Sequence, residues 1–259
     1  MIEPPPTSWR DLQDRVAQIL TECGIDTAVE KQVELARGSV KIDVWAYDAL
    51  SVPPQTYIVE CKHWSNPVPQ TVVHAFRTVV GDCGANWGAI VSSNGFQSGA
   101  YAAAQYSNVR LLTWNEFLAL FELTWFDRYF CPKVTEVTDP LIEYTEPINS
   151  RVFRKANLLP NAQFEEFKRL RETHSPFAKM CLMMGARATR SLRLIHGRSA
   201  SVKPSIPLRI NMQRDDVNAL EYLPNSILDA DSHRVLLAAI TAEAETVIAS
   251  FDQVFGERA

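Results

Sequence analysis

No apolar run in this chain approaches the roughly 20 residues that a membrane-crossing helix needs, so a membrane role is not expected. Paired cysteines are missing too. Cys23, Cys61, Cys83, Cys131 and Cys181 are scattered and odd in number, with no CxxC and no Cys/His cluster at zinc spacing. This excludes a disulfide scaffold and a zinc module, and leaves free thiols in a reducing compartment. The opening MIEPPPTSWRDL has neither a basic nor an apolar leader region, so no secretory signal is expected. Positive charge is not in excess: the net charge of −4 excludes a protein that coats nucleic acid by bulk charge, but not one with a local basic patch. No internal repeat is evident. What is present is ordinary globular composition, 46% hydrophobic and 22% charged, in 259 residues. That length suits a core domain with an appended region, and the expected setting is cytoplasmic.

The periodicity gives an order of elements. Leu12, Val16, Ile19, Leu20 and Cys23 recur at helical spacing after the candidate caps Thr7 and Ser8, and Gly24 supplies a stop. Residues 28–35 suit a strand. The stretch SVKIDVWA, residues 39–46, alternates strictly, with Val40, Ile42 and Val44 on one face and Lys41, Asp43 and Trp45 on the other. After Pro53-Pro54, the stretch TYIVECK reads as its hairpin partner. Val72, Val73, Phe76, Val79 and Val80 then mark a helix, WGAIVSS a central strand, GAYAAAQ a small helix, VRLLTW another strand, and residues 114–126 a further helix. The result is an α/β layout with a mixed sheet. From about 127 the pattern loosens around Pro132, Pro140 and Pro147. Residues 126–160 are therefore expected as a linker, with helices at 161–185 and 230–255, and with 200–211 as strand or loop.

YIVECKHW, residues 57–64, carries the chemistry. Glu60 and Lys62 share a strand face inside an otherwise buried run. If the hairpin register brings Asp43 to them, two carboxylates and an ammonium group converge at one end of the sheet. Close carboxylates repel unless a cation lies between them. A hard divalent ion such as Mg²⁺ suits both and takes substrate phosphate oxygens as further ligands, while Lys62 can steady or deprotonate an attacking water. A D…ExK spacing alone is short and degenerate, and a plain salt bridge explains it as well.

The ordered set of segments says more. The helix LQDRVAQILTECGI, then GSVKIDVWA, YIVECKHW, VPQTVVHAF, GANWGAIVSSNGF and VRLLTWNEF, spanning residues 9–118, resembles the restriction-endonuclease-like (PD-(D/E)xK) nuclease superfamily, most closely its Mrr-like branch of type IV restriction enzymes. The resemblance implies an αβββαβ core, mixed sheet flanked by helices, within residues 1–125. It also implies hydrolysis of DNA phosphodiesters, with Asp43 and Glu60 holding Mg²⁺ (Mn²⁺ as a substitute) and Lys62 assisting the water. Two positions depart from the pattern. Ile42 stands where the superfamily name has proline. Gln13 stands where many members have a first-helix glutamate, and a neutral group there points to one metal rather than two. An endonuclease of this kind implies a homodimer, since two strands need two sites, and a role in defence against foreign DNA, with a partner protein as one option. The other readings are a structure-selective DNA or RNA nuclease and a non-cleaving binding module. The intact Asp43, Glu60 and Lys62 speak against the module.

Neighbouring residues remain open between packing and substrate contact. Lys41 shares a face with Asp43, and Gln70 opens the second helix. Ser93 and Asn94 lie in a turn whose backbone amides can cradle a phosphate or merely join a strand to a helix. Cys61 and His63 read as core, and His74 as surface. Between Thr173 and Arg214 eight basic residues stand without an acidic one, and Arg187, Arg190, Arg193 and Arg198 form a positive ridge on a helix. Such a ridge suits phosphate contacts in DNA or pairing with the acidic segment that follows. The helical region 161–259 is thus expected to bind DNA or to dimerise.

Overall fold

The computed structural model describes residues 4–35, 38–146, 150–185, 204–211 and 223–256. The chain divides into two units, one covering Glu3–Tyr129 and the other Phe130–Ala259 with the first two residues.

The first unit opens with α1, Trp9–Glu22. Of the two candidate caps Ser8 is the one used, its hydroxyl accepting the Asp11 N–H at 3.1 Å. The helix ends where Gly24 takes φ +73°: Ile25 N–H reaches the Leu20 carbonyl and Gly24 N–H that of Thr21. This left-handed cap is one glycine adopts without steric penalty. Leu12, Gln13, Val16, Ala17, Ile19 and Leu20 form its buried face.

Five strands follow in sheet order β1-β2-β3-β4-β5. They are β1 (Asp26–Leu35), β2 (Gly38–Asp48), β3 (Gln55–Lys62), β4 (Trp87–Ser92) and β5 (Val109–Thr113). The first three pair antiparallel and the last three parallel. Parallel neighbours need crossovers; α2 (Gln70–Asp82) and α3 (Ser98–Ala104) supply them. Helix α4, Trp114–Trp125, begins with a reciprocal capping box between Thr113 and Glu116. The expected mixed-sheet α/β fold of restriction-endonuclease type is present.

One core cluster joins Ile42, Ile58 and Ile90 from the sheet to Val73, Phe76, Val80, Ala100 and Ala103 from α2 and α3. Each fully buried isoleucine contributes about 1.5–3 kcal/mol by leaving water. Helix α2 packs so closely on β4 that a Cβ at Gly88 would meet Val80 at 2.5 Å and Phe76 at 2.8 Å. A larger residue there would push the crossover helix off the sheet.

The stretch expected as linker, most of it in the second unit, is largely helical. A π-helical turn spans Phe126–Phe130, α5 spans Cys131–Thr145 and α6 spans Ser150–Ala156. Pro132 sits in the first turn of α5, where its missing N–H is not needed. Pro140 lies inside α5, which buries Val134, Leu141 and Tyr144. Proline there removes a backbone bond, and packing holds the helix regardless. Helix α7 (Asn161–Met184) and α8 (His233–Phe255) pack with α5, and a short turn at Leu208–Asn211 lies where strand or loop was expected. Phe251 stacks on Tyr144 at 4.7 Å between centroids and meets Phe167 edge-on at 6.0 Å. No helix among the described residues is long and apolar enough to cross a membrane.

Candidate active site

Strand pairing lapses on both sides of Asp43. The β2–β3 ladder stops at Val44↔Val59. The β1–β2 ladder runs through Val29↔Val44 and Lys31↔Ile42 but omits Glu30, the residue opposite Asp43. Glu30 has φ +54°, a left-handed conformation unusual for a residue with a side chain. Where the backbone stops pairing, the side chain takes over: Asp43 Oδ2 accepts the Cys61 N–H at 2.7 Å. The carboxylate is thereby pinned to β3 between Glu60 and Lys62.

Those two residues alternate with buried Cys61, so both project from the face that Ile58 shares. Lys62 Nζ donates to Glu60 Oε1. Glu60 keeps 25% of its side-chain surface open and Lys62 17%. Burial pushes the Glu60 carboxyl above the usual glutamate range, the negative charge of Asp43 adds to this, and Lys62 offsets only part. Cys61 is fully buried, and burial raises its thiol far above the ordinary value, which excludes it as a nucleophile or ligand. His63 is half-buried with Nε2 3.1 Å from the Pro6 carbonyl.

Gln13 is fully buried on α1, and neither its amide oxygen nor its amide nitrogen has a hydrogen-bond partner. A buried polar group left unpaired costs about 1–3 kcal/mol. Two contacts fix the start of α1 at this end of the sheet. Arg10, one turn before Gln13, reaches Glu30 at 3.4 Å, and His63 reaches Pro6 as above.

Among the described residues no three His, Cys, Asp or Glu side chains gather as a metal cage. The two carboxylates nevertheless fit a hard divalent cation that keeps several waters and shares a substrate phosphate. They do not fit a closed zinc site.

The remaining candidates scatter. Lys41 Nζ pairs with Glu30 at 2.8 Å, largely in solvent. Gln70 is exposed and lies over Gly99 at the start of α3, with no hydrogen bond to Asp43, Glu60 or Lys62. The Ser93 and Asn94 amides, left open between a phosphate cradle and a plain turn, are used within the protein. Ser93 N–H donates to the Lys62 carbonyl at 3.0 Å and Asn94 N–H to Ser92 Oγ at 3.2 Å. Both turn residues instead brace the chain that follows Lys62. His74 is exposed. Arg187, Arg190, Arg193 and Arg198 lie outside the described residues. Glu30 is the residue that sequence reasoning missed. In a strand of mixed polar and apolar residues its glutamate looks like any solvent-facing charge, and its backbone strain has no sequence signature.

A five-stranded mixed sheet flanked by helices, antiparallel from β1 to β3 and parallel from β3 to β5, is the restriction-endonuclease-like fold. Residues 6–121 match the family model Mrr_cat, described as restriction endonuclease. No curated protein matches the chain. Two solved structures are similar. A crystal structure of a protein of unknown function, AF1548, is 17% identical over 74% of this chain and 100% of that one, with a TM-score of 0.37. The DNA modification-dependent restriction endonuclease AspBHI is 10% identical over 47% of this chain and 38% of that one, with a TM-score of 0.25.

Proposed function

We propose that the sheet domain is a Mg²⁺-dependent endodeoxyribonuclease of the Mrr-like restriction type, acting in the cytoplasm against foreign DNA, with Mn²⁺ as an alternative ion. The observation that carries this reading is the placement of Asp43. Its carboxylate leaves the β-ladder to bond the Cys61 N–H at 2.7 Å, which sets it beside Glu60 and its partner Lys62. Asp43 and Glu60 would hold the cation. When bound, the ion supplies charge neutralisation at the phosphate and a more acidic water. Lys62 Nζ, fixed between strand and carboxylate, holds the attacking water in line with the phosphorus as the ester oxygen leaves. Gln13 offers its amide oxygen to the water shell of the site. Phosphoryl transfer asks for positioning and charge more than covalent chemistry, so these few groups suffice. Because two strands require two such sites, the working form is a homodimer, and the helical unit positions the duplex or makes the dimer contact.

The test is supercoiled plasmid incubated with Mg²⁺, Mn²⁺ or EDTA, beside Asp43→Ala and Lys62→Ala. Metal-dependent nicking by wild type and none by either variant is expected. Equal nicking by all three proteins would end the reading.

A further inference from the structure

Trp64 stands two residues beyond Lys62 with 42% of its surface open. It points at the site: Lys62 Nζ lies 5.2 Å from the indole centroid. Regular structure stops at Lys62, yet the chain beyond it is tied down at successive residues. The Ser93 hydroxyl donates to the Trp64 carbonyl at 3.3 Å and to the Lys62 carbonyl at 3.4 Å. The Asn94 side-chain amide donates to the Ser65 carbonyl, and Val68 N–H donates to the Gly95 carbonyl at 3.0 Å. Surface loops are ordinarily mobile, and an exposed indole on a mobile loop would fold down onto apolar surface. This loop is braced so that the indole stays out, beside the groups that would cleave a phosphodiester.

We propose that Trp64 is a base-stacking residue. On the nuclease reading, it makes DNA with an unpaired base next to the scissile phosphate the preferred substrate. An aromatic face recognises any nucleobase whose own face is free, without reading sequence. In an intact duplex every base face is covered by its neighbours. Only a single strand, a gap or a mismatch presents one at low energetic cost. Nearby Lys62 favours the same arrangement, because a phosphate drawn to the ammonium brings its flanking base over the indole.

Fluorescence anisotropy in EDTA, where the reading predicts no turnover, separates stacking from other roles. The probes are a labelled single-stranded oligonucleotide, its blunt duplex and the same duplex with one mismatch. Wild type should bind the single strand and the mismatched duplex more tightly than the blunt duplex. Trp64→Ala should weaken those two by about tenfold and leave the blunt duplex unchanged, while Trp64→Phe retains most of the preference. Ser93→Ala, which keeps the indole but removes the hydroxyl bonds to the Lys62 and Trp64 carbonyls, should lose a smaller part of the same preference. A loss equal on all three probes, no loss on any, or no wild-type preference would overturn the stacking role. Cleavage in Mg²⁺ keeps the two readings apart. Trp64-dependent binding without metal-dependent cutting sinks the nuclease alone. Metal-dependent cutting whose preference for the mismatch survives Trp64→Ala sinks the stacking alone.

Discussion

In the helical unit, polar side chains find partners close at hand. The hydroxyls of Thr138 and Thr145 on α5 and of Thr241 and Thr246 on α8 each donate to the carbonyl four residues back. Lys133–Glu136, Lys168–Glu165 and Arg169–Glu166 pair three residues apart, and Tyr144 donates to Asp252 at 2.5 Å. The sheet unit behaves otherwise beside Asp43. Around Asp43 a strand goes unpaired, Glu30 adopts a left-handed backbone, and Glu60 is held where its charge is disfavoured. Local conflicts that a fold tolerates tend to mark the places it uses. On the proposed reading the contrast marks the reacting centre: conflicts gather beside Asp43, and the described helices of the second unit are built for packing.

The sharpest way to break this contrast is to remove the groups in conflict. Asp43→Ala and Lys62→Ala should each lower cleavage by about 10²–10³-fold while leaving the circular dichroism spectrum unchanged. Retained cutting would mean the strained end of the sheet is not the reacting centre. The complementary test falls on the helical unit. Phe251→Ala removes a ring that touches both α5 and α7 partners and should cost about 3–5 kcal/mol of stability by denaturant unfolding. Assayed in the cold where it remains folded, the variant should keep kcat on a short oligonucleotide within about threefold. A folded variant that binds but cannot cut would erase the division of labour.

Much of this was legible in the residues. Period-two alternation at 39–46 and the apolar run at 57–61 gave the hairpin, and parity put Glu60 and Lys62 on one face, with Asp43 joining them only on the right register. Side-chain chemistry narrowed the cap to Thr7 or Ser8, and glycine's backbone freedom gave the stop at Gly24. The helices at 126–156 were not legible because proline marks chain breaks only on average, and α5 tolerates Pro140 through burial that sequence does not display. The roles of Ser93 and Asn94 were hidden for a related reason. A turn can offer its amides outward or spend them on a neighbouring strand, and only the tertiary contact to Lys62 decides. Glu30 was illegible because strain belongs to the backbone.

A control for the sheet unit is a buried carboxylate that the fold does satisfy. Asp48 accepts from Leu50 N–H at 3.0 Å, Ser51 Oγ at 2.7 Å, Tyr57 Oη at 3.3 Å and Arg128 at 3.3 Å. Burial raises its pKa, and the Ser51 hydroxyl and Arg128 guanidinium lead the contacts that outweigh burial, leaving it below the ordinary value. A lowered folded value means stability that is present above the ordinary aspartate pKa of about 3.9 and lost as pH falls through the lowered one. Asp48→Asn should therefore cost about 1–2 kcal/mol near neutral pH, with the gap to wild type closing in acid. A gap that persists below both values would show that the charge is not what Arg128 and Ser51 hold.

Glu60 runs in the opposite sense, and the smallest effect is the most discriminating. Burial first, then Asp43, favour its neutral form in the fold. That preference contributes fully below the ordinary glutamate value of about 4.3 and fades as pH climbs through the raised folded value. Glu60→Gln stays neutral at every pH. Free of metal, it should match wild type near pH 4 and exceed it by about 1 kcal/mol near pH 7.5, while losing cleavage. Added Mg²⁺ should close the gap by stabilising wild type alone, since an ion that binds the folded form raises its stability. A gap independent of pH would mean that packing, not charge, separates Gln from Glu. A gap indifferent to Mg²⁺ would remove the reason for placing two carboxylates together at the end of β3.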